Sequence, residues 1–322
     1  MKGINLFAIL LLSVSCSTQK AFNIAVMPDT QVYSRYYPEI FYSQTDWIYK
    51  HRDQIAFVLH EGDITTRNWD DQWQVAQKAM TKLDGQVPYV LCMGNHDIGT
   101  DGSADVRNTD KFNQYFPYDK YSRMNGFGGA YAVGEMDNTW YTFNVGGIKW
   151  LVVSLEFGPR NSVLEWANKI VSDHPKHRVI LLTHAYLYND DTHMSAERHH
   201  QWLARNYGVG KTAGEDTVND GQEIWDKLVK RHANMRFVFN GHVLGDGTGK
   251  LVSTGEHGNK VYQMLANYQT GVDNSENGGN GFLRLVSFDI KRKTITVKTY
   301  SPYLDAYKTE PDQEFIFDHV EF

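Results

Sequence analysis

Polar side chains of the kinds that bind metal ions follow five short apolar segments of the sequence, at the point where each segment ends. The five segments are typical of buried β-strands. Ligands of open α/β sheets bind at the carboxyl ends of the strands, so we expect these side chains to converge. They are Asp29 and Gln31, then Asp63, then Asn95, His96 and Asp97, then His184, and finally His242.

This combination of residue types suits the hydrolysis of a phosphate ester. Two divalent metal ions about 3.5–4 Å apart can activate a bridging hydroxide and clamp the phosphoryl oxygens during in-line attack. Such a centre needs a bridging carboxylate, further hard oxygen ligands and a few neutral imidazoles. The sequence supplies all three classes, and it therefore predicts a pair of divalent ions at the strand ends.

Each of these residues, taken alone, also has an ordinary structural explanation. The Gly62-Asp63 pair is typical of a turn, Asn95 of a helix cap, and a single histidine of a buried, hydrogen-bonded side chain. The Gly94–Asp97 segment (GNHD) is the most specific element of the set. Its occurrence together with the other four motifs favours the metal centre.

The motifs PDTQ, EGD, GNHD, TH and GHVL occur in the order and at the intervals that resemble the calcineurin-like metallophosphoesterase superfamily, from about Phe22 to Leu244. The resemblance implies an α/β fold in which helices flank a two-sheet β-sandwich. It also implies a role for each side chain of the set. Asp63 bridges the two ions, Asn95, His184 and His242 complete one site, and Asp29 with Gln31 serves the other.

The same resemblance gives His96 a role other than metal binding. Its ring is expected over the phosphoryl group, where it donates a hydrogen bond or protonates the leaving oxygen. Asp97 is expected to fix the orientation of that ring.

Two positions depart from the pattern of the superfamily. Gln31 and Leu244 stand where a histidine is usual, so one metal site keeps only oxygen ligands. Such a site favours Mn²⁺, Mg²⁺ or Fe²⁺ over Zn²⁺, and which of these four ions is bound stays open. His257, Asp246 or a water molecule could replace the ligand missing at Leu244.

The elements that must position these residues alternate between strands and helices, which indicates an α/β fold. The predicted strands cover residues 22–26, 55–60, 87–93, 139–145, 148–155, 178–183, 235–240, 261–266, 282–290 and 294–300. Predicted helices begin at Pro38 and near Asp70 and cover residues 163–171 and 222–232. Two polar excursions, 99–138 and 186–220, are expected to shape a pocket above the metals. No repeat or linker divides residues 21–322, so we predict one metallophosphoesterase domain.

The first residues predict export. Lys2 precedes the apolar stretch Leu6–Val14, which is shorter than the roughly 20 residues that span a bilayer. Cys16 follows, as in a bacterial lipoprotein signal, so residues 1–20 are predicted to be a signal peptide and short tether with Cys16 lipidated. An ordinary cleaved signal is the alternative. We expect a periplasmic or outer-membrane lipoprotein of the cell envelope, or a secreted protein.

The charge of the chain restricts its partners. The formal net charge is −6 at pH 7 and no basic run occurs, so no nucleic-acid partner is expected. The predicted substrate is a small-molecule, lipid or glycan phosphate ester, with membrane contact only through the lipid anchor. Arg67, Tyr33 and His193 are candidates for substrate contacts.

Three functions remain open on the sequence. The first is hydrolysis of a phosphomonoester or phosphodiester, and the second is hydrolysis of another ester or a pyrophosphate on the same scaffold. The third is a non-catalytic envelope lipoprotein that binds a phosphorylated or sugar ligand, which Leu244 favours. The His96-Asp97 pair argues against the third, because binding alone requires no proton donor.

Overall fold

A computed structural model describes residues 21–322 of the chain. The predicted signal peptide, its tether and Cys16 lie outside the described residues. Within the described part, no helix has both the length and the apolar character needed to cross a membrane.

The described residues form strands that are numbered here in chain order. These are β1 Ala21–Met27, β2 Ile55–His60, β3 Tyr89–Leu91, β4 Phe127–Ala130, β5 Thr139–Val145, β6 Ile148–Leu155, β7 Arg178–Thr183, β8 Met235–Asn240, β9 Thr248–Thr254, β10 Lys260–Ala266, β11 Leu283–Asp289, β12 Thr294–Ser301, β13 Ala306–Lys308 and β14 Glu314–Phe317. The helices are α1 Gln31–Tyr36, α2 Pro38–Lys50, α3 Asp70–Met80, α4 Asp110–Tyr115, α5 Tyr118–Tyr121, α6 Asn161–Asp173 and α7 Gly221–Lys227.

The strands divide into two mixed sheets. The first has the order β13-β12-β11-β1-β2-β3, with β14 also paired to β12, and β1, β2 and β3 run parallel. The second has the order β4-β5-β6-β7-β8-β10-β9, and its central strands β6, β7, β8 and β10 run parallel. Each sheet therefore has a parallel core whose carboxyl ends share one edge.

The sheets pack face to face through an apolar layer rich in aromatic rings. Phe22 and Phe288 of the first sheet lie 5.6 and 5.4 Å from Trp150 of the second, between ring centroids. Alternate residues of β1 serve the two faces, since Ile24 belongs to this layer and Ala25 to the cluster under the helices. The predicted α/β fold with a two-sheet sandwich flanked by helices is confirmed.

The helices cover the outer faces of the sandwich. Pro38 occupies the first turn of α2, where its missing N–H has no partner to lose. Helices α1, α2 and α3 contact one another, and α6 contacts β6 of the second sheet. The predicted helix over 222–232 is shorter in the structure, because α7 ends at Lys227 and a separate 3₁₀ turn, Val229–Arg231, follows.

Glu156 connects the second sheet to two neighbouring segments. The side chain is fully buried directly after β6, and Arg160 Nε donates to its Oε1 at 2.8 Å. Asn138 Nδ2 donates to Oε2 at 2.9 Å, and Arg107 lies 3.5 Å away. Burial alone would raise the pKa of Glu156, but the two arginines outweigh it and lower the pKa below its usual value.

Replacing Glu156 with glutamine should lower the free energy of unfolding by about 2–4 kcal/mol at pH 7, because both arginines then lose a buried partner. Chemical denaturation followed by circular dichroism measures this. A carboxyl with a depressed folded-state pKa stabilises the protein above its unfolded value and loses that contribution as the pH falls through the folded value. The difference between wild type and variant should therefore shrink below about pH 4.5.

Glu165, which is exposed on α6, provides the matched control. Its change to glutamine should alter stability by less than about 0.5 kcal/mol. A Glu156→Gln protein as stable as the Glu165→Gln protein would contradict the role given to this ion pair.

Candidate metal centre

Two close approaches of the backbone bring the first ligands into place. A Cβ atom on Gly94 would collide with the side chain and backbone nitrogen of Asp63, and one on Gly241 would collide with the carboxylate of Asp29. Asp63 itself has a φ of 46° and His242 a φ of 76°, in the left-handed region that side chains rarely adopt. Strained backbone of this kind is concentrated at functional sites.

Three side chains from different strand ends meet at one point. Asp63, His184 and His242 follow β2, β7 and β8, and their ligand atoms all lie within 4.8 Å of one another. Asp63 Oδ1 is 3.3 Å from His184 Nε2, which is 3.1 Å from His242 Nδ1. All three side chains are buried.

The outer nitrogens of the two rings show which nitrogens are free to bind a cation. His184 Nδ1 donates to the carbonyl of Glu61 at 2.7 Å, and His242 Nε2 donates to the carbonyl of Trp202 at 2.8 Å. These bonds use the proton of each outer nitrogen, so Nε2 of His184 and Nδ1 of His242 are the atoms that a metal ion would bind once it displaces any further proton. Hydrogen bonds from the far nitrogen to a carbonyl are the usual support of a metal-binding histidine.

The charges of the site also favour a cation. Burial alone would lower the pKa of His184, but the carboxylate of Asp63 outweighs it and raises that pKa to about 9. Burial opposes ionisation of Asp63, yet His184 and His96 hold its pKa well below the usual range. Burial, with the charge of His184, lowers the pKa of His242 to about 3, so this ring is a neutral ligand.

Two buried amide oxygens also bear on whether the residues of this site fit a bound metal ion. Asn95 Oδ1 and Gln31 Oε1 are buried, and neither has a hydrogen-bond partner among the described residues. A buried polar atom without a partner is costly, and a bound cation would satisfy both oxygens. The residues present therefore fit a metal ion, because Asp63, His184 and His242 converge on one point and the amide side chains of Asn95 and Gln31 line the cavity above it.

Asp29 lies beside this group and is held by residues that the sequence analysis missed. Its carboxylate accepts hydrogen bonds from Gln269 Nε2 at 2.9 Å, from Asn267 Nδ2 at 3.1 Å and from the backbone N–H of His242 at 3.3 Å. Gln31 Nε2 in turn donates to Gln269 Oε1. Asn267 and Gln269 follow β10 directly, so polar residues after a sixth predicted strand were the available signal.

Two of the proposed substitutes for the ligand missing at Leu244, His257 and Asp246, are wrong, and the third, a water molecule, stays a prediction. His257 is exposed and its Nε2 contacts the carbonyl of Arg231, and Asp246 accepts a hydrogen bond from the backbone of Thr248. Each contact holds its side chain to a residue outside the set of candidate ligands. Leu244 itself lines the cavity above the ligands, and Gln269 lies beside it in the same wall.

Replacing Gln269 with leucine should weaken binding of any divalent ion beside Asp29 by about 10–100-fold, as loss of a residue that holds a ligand usually does. Leucine keeps the volume but cannot donate to Asp29 or accept from Gln31. Calorimetric titration of metal-free protein with Mn²⁺ measures the change, and Gln201→Leu, at an exposed position, is the control. Unchanged affinity in Gln269→Leu would show that Asp29 needs no such support.

His96 lies at the floor of the cavity, and its ring is oriented differently from the sequence-based expectation. Its backbone N–H donates to Asp63 Oδ1 at 2.9 Å, and its Nδ1 donates to the carbonyl of Thr66 at 3.0 Å. Asp97 does not hold the ring. Its buried carboxylate accepts from the backbone N–H groups of Ile64, Thr65 and Gly94, and so fixes the loops that carry Asp63 and His96.

The cavity above the ligands has a volume of about 520 Å³. The excursion 186–220 contributes Trp202 and Tyr207 to its wall, as expected, whereas no described residue of 99–138 lines it. In residues 99–138, Phe112 and Tyr115 instead contact Trp73 of α3, and β4 pairs with β5 at the edge of the second sheet.

The three candidate substrate residues do not line this cavity. Tyr33 is buried and its hydroxyl accepts from the N–H of Gly281, because α1 turns that side chain inward. His193 is also buried, stacks on Trp225 and contacts Gln263. Arg67 is exposed and does not line the cavity. Tyr36 and Tyr37, which follow Tyr33 closely in the sequence, do line it.

Two helix-flanked sheets whose strand ends gather carboxylate, amide and imidazole ligands define a metal-dependent hydrolase scaffold. The model of the family described as calcineurin-like phosphoesterase matches residues 22–246, which is most of the chain. The chain belongs to that family. The family is described as one of phosphoesterases, and Asp63, His184 and His242 are candidate metal ligands in this chain.

Similar proteins agree with this family and add little on function. "Uncharacterized protein YvnB" of Bacillus subtilis (strain 168) is 31% identical over 293 residues, which are 86% of this chain, and the chain spans only 20% of that protein. Purple acid phosphatase PPD1 from yellow lupin (Lupinus luteus) has a TM-score of 0.51 at 13% identity, over 92% of this chain and 54% of the phosphatase.

A second solved structure is GAP50, described as the anchor in the inner membrane complex of Plasmodium. It has a TM-score of 0.50 at 10% identity, over 93% of this chain and 90% of its own. A phosphatase and an anchor thus share this fold. The function of the present chain must accordingly be argued from its site.

Proposed function

We propose that the protein hydrolyses a phosphomonoester or phosphodiester with two divalent metal ions. The observation that carries the proposal is the arrangement at the cavity floor. The inner nitrogens of His184 and His242 lie beside the Asp63 carboxylate. The oxygens of Asn95 and Gln31, which have no partner among the described residues, belong to side chains that line the same cavity as Asp63 and His242. Bound cations would satisfy these Lewis bases together.

The ligands divide between two ions. Asp63, Asn95, His184 and His242 would hold one, and Asp29 and Gln31, with Asp63 shared, would hold the other. Bound divalent ions supply charge for the phosphoryl oxygens and lower the pKa of water. The second group contains only oxygen atoms, which suits Mn²⁺, Mg²⁺ or Fe²⁺ better than Zn²⁺.

His96 supplies the proton step. Its Nδ1–H donates to the carbonyl of Thr66, so the charged ring would carry its second proton on Nε2, the atom available to the leaving oxygen. The backbone N–H of His96 also donates to Asp63, which fixes the distance between this ring and the metal ligands. A protein that only binds its ligand has no use for this arrangement, so it favours an enzyme over the non-catalytic alternative.

The test uses purified protein loaded with Mn²⁺ and freed of excess metal. We expect two ions per chain, hydrolysis of a generic aryl phosphate ester, and loss of that hydrolysis after chelation with recovery on Mn²⁺ addition. Metal binding without turnover of any phosphate ester would support the ligand-binding alternative. Turnover of a carboxylic ester or a pyrophosphate alone would support the other hydrolase.

We also propose that the protein is a cell-envelope lipoprotein anchored through Cys16. The support is the order of Lys2, the apolar stretch 6–14 and Cys16 in the sequence. Metabolic labelling with a radioactive fatty acid should mark the wild-type protein and leave Cys16→Ser unlabelled. Equal labelling of both proteins would contradict the anchor.

A further inference from the structure

The cavity over the metal ligands is larger than a phosphoryl group requires. Its volume of about 520 Å³ falls within the range of roughly 300–1,000 Å³ typical of sites that enclose whole organic ligands. The groups attached to the phosphate must therefore contact its walls, and the walls should reveal their chemistry.

Aromatic rings from two separate segments form much of the wall. Tyr36 and Tyr37 come from the end of α1, and Trp202 and Tyr207 from the excursion 186–220. None of the four is buried, and Tyr36 is 58% exposed, whereas the neighbouring core residue Tyr33 is 2% exposed. Half-exposed rings around a cavity are available to stack on a ligand.

The rings of the excursion are fixed relative to the metal ligands. The carbonyl of Trp202 accepts from His242, and the ring of Tyr207 packs edge-on against Phe157 at 5.3 Å between centroids. Phe157 in turn contacts His184 and His242 at 5.8 and 5.4 Å. A group stacked on this wall would thus lie at a set distance from the phosphoryl position.

The charge of the cavity wall distinguishes phosphomonoesters from phosphodiesters as substrates. Among the described residues that line the cavity there is neither a lysine nor an arginine. The guanidinium of Arg35 lies at the rim, 4.7 Å from the ring centroid of Tyr36 and 5.5 Å from that of Trp69, so it is already engaged. A phosphomonoester carries about −1.5 to −2 charges at pH 7 and would need such cations more than a singly charged diester does.

We infer that the substrates are phosphodiesters in which the alcohol that stays on the phosphorus bears a flat ring. The inference rests on the proposed function and narrows it. One water molecule adds across one ester bond: its oxygen bonds to phosphorus, the P–O bond to the leaving alcohol breaks, and the leaving oxygen takes a proton. The products are a phosphomonoester and an alcohol, and the ring of the substrate stacks on the aromatic wall.

The test compares three substrates that release the same 4-nitrophenolate. They are phenyl 4-nitrophenyl phosphate, methyl 4-nitrophenyl phosphate and 4-nitrophenyl phosphate, each assayed with Mn²⁺-loaded protein. We expect kcat/KM to be at least about tenfold higher for the phenyl diester than for the monoester. Stacking is worth about 0.5–1.5 kcal/mol, so the phenyl diester should also exceed the methyl diester by about 2–12-fold.

Variants of the wall provide the second readout. Trp202→Leu and Tyr37→Leu should each raise KM for the phenyl diester several-fold more than KM for the methyl diester, while Trp202→Phe should retain most of the preference. Tyr307→Leu, at an exposed position on β13, is the control and should change neither. Because Tyr37 and Trp202 belong to different segments, misfolding of one variant leaves the other as a test.

The outcomes separate this inference from the function on which it rests. Preference for the monoester, equal KM for the two diesters, or equal effects of the wall variants on both diesters would overturn the inference while leaving a phosphoesterase. Absence of turnover with all three substrates by protein that has bound its metal would overturn the proposed function itself.

Discussion

Replacing Asp63 with alanine should lower phosphoesterase turnover by at least about a thousandfold. Residues that merely support a metal ligand cost about 10–100-fold when removed, and Asp63 is itself proposed as the carboxylate shared by both ions. It also accepts the backbone N–H of His96 and lies 3.3 Å from His184 Nε2. Steady-state assays with saturating Mn²⁺, together with elemental analysis of bound metal, measure the two losses expected.

The control is Asp71→Ala, an exposed carboxylate on α3 that should leave turnover and metal content unchanged. Circular dichroism establishes that Asp63→Ala remains folded. A folded Asp63→Ala protein that retains two ions and most of its activity would remove the basis of the dinuclear site.

Replacing His96 with glutamine should lower kcat by about 10²–10⁴-fold, the usual contribution of a general acid. Metal content should stay unchanged, because the His96 ring is bound to Thr66 rather than placed among the ligand atoms. The loss should be largest for esters of alkyl alcohols and small for those of 4-nitrophenol, since a good leaving group needs no proton. A series of leaving groups with different pKa values measures this slope.

His257→Gln is the matched control, because His257 is exposed and contacts only the carbonyl of Arg231 among the described residues. Loss of metal from His96→Gln would make His96 a ligand. An equal loss of kcat with every leaving group would make it a binding residue. Either result would contradict the proton transfer assigned to it.

The fold was predictable wherever the hydrophobic pattern was continuous. The bounds of β2, β5, β6, β7 and β8 match the predicted segments, because each contains a run of apolar residues or lies beside the Gly146-Gly147 turn. Strand β9 was missed because Thr248–Thr254 is polar and lies at the edge of its sheet, where burial does not select apolar side chains.

The candidate ligands that follow the strands were predictable, but the residues that hold those ligands in place were less so. Asp63, His184 and His242 converge as expected, since parallel strands deliver their following residues to one edge. Gln269 was missed because it follows Tyr268 in the sequence and belongs to none of the motifs that the sequence analysis identified. Asp97 was given the wrong partner, because its spacing from His96 does not reveal that three backbone N–H groups surround its carboxylate.

The ligands come from both sheets, and this places a requirement on the distant interior. Asp29, Asp63 and Asn95 belong to the first sheet, and His184, His242 and Gln269 to the second. The distance between the two groups of candidate ligands is consequently set by the thickness of the aromatic layer around Trp150 that separates the two sheets. Since a misplacement of about 1 Å can cost a hundredfold in rate, evolution of this interior is constrained by catalysis as well as by stability.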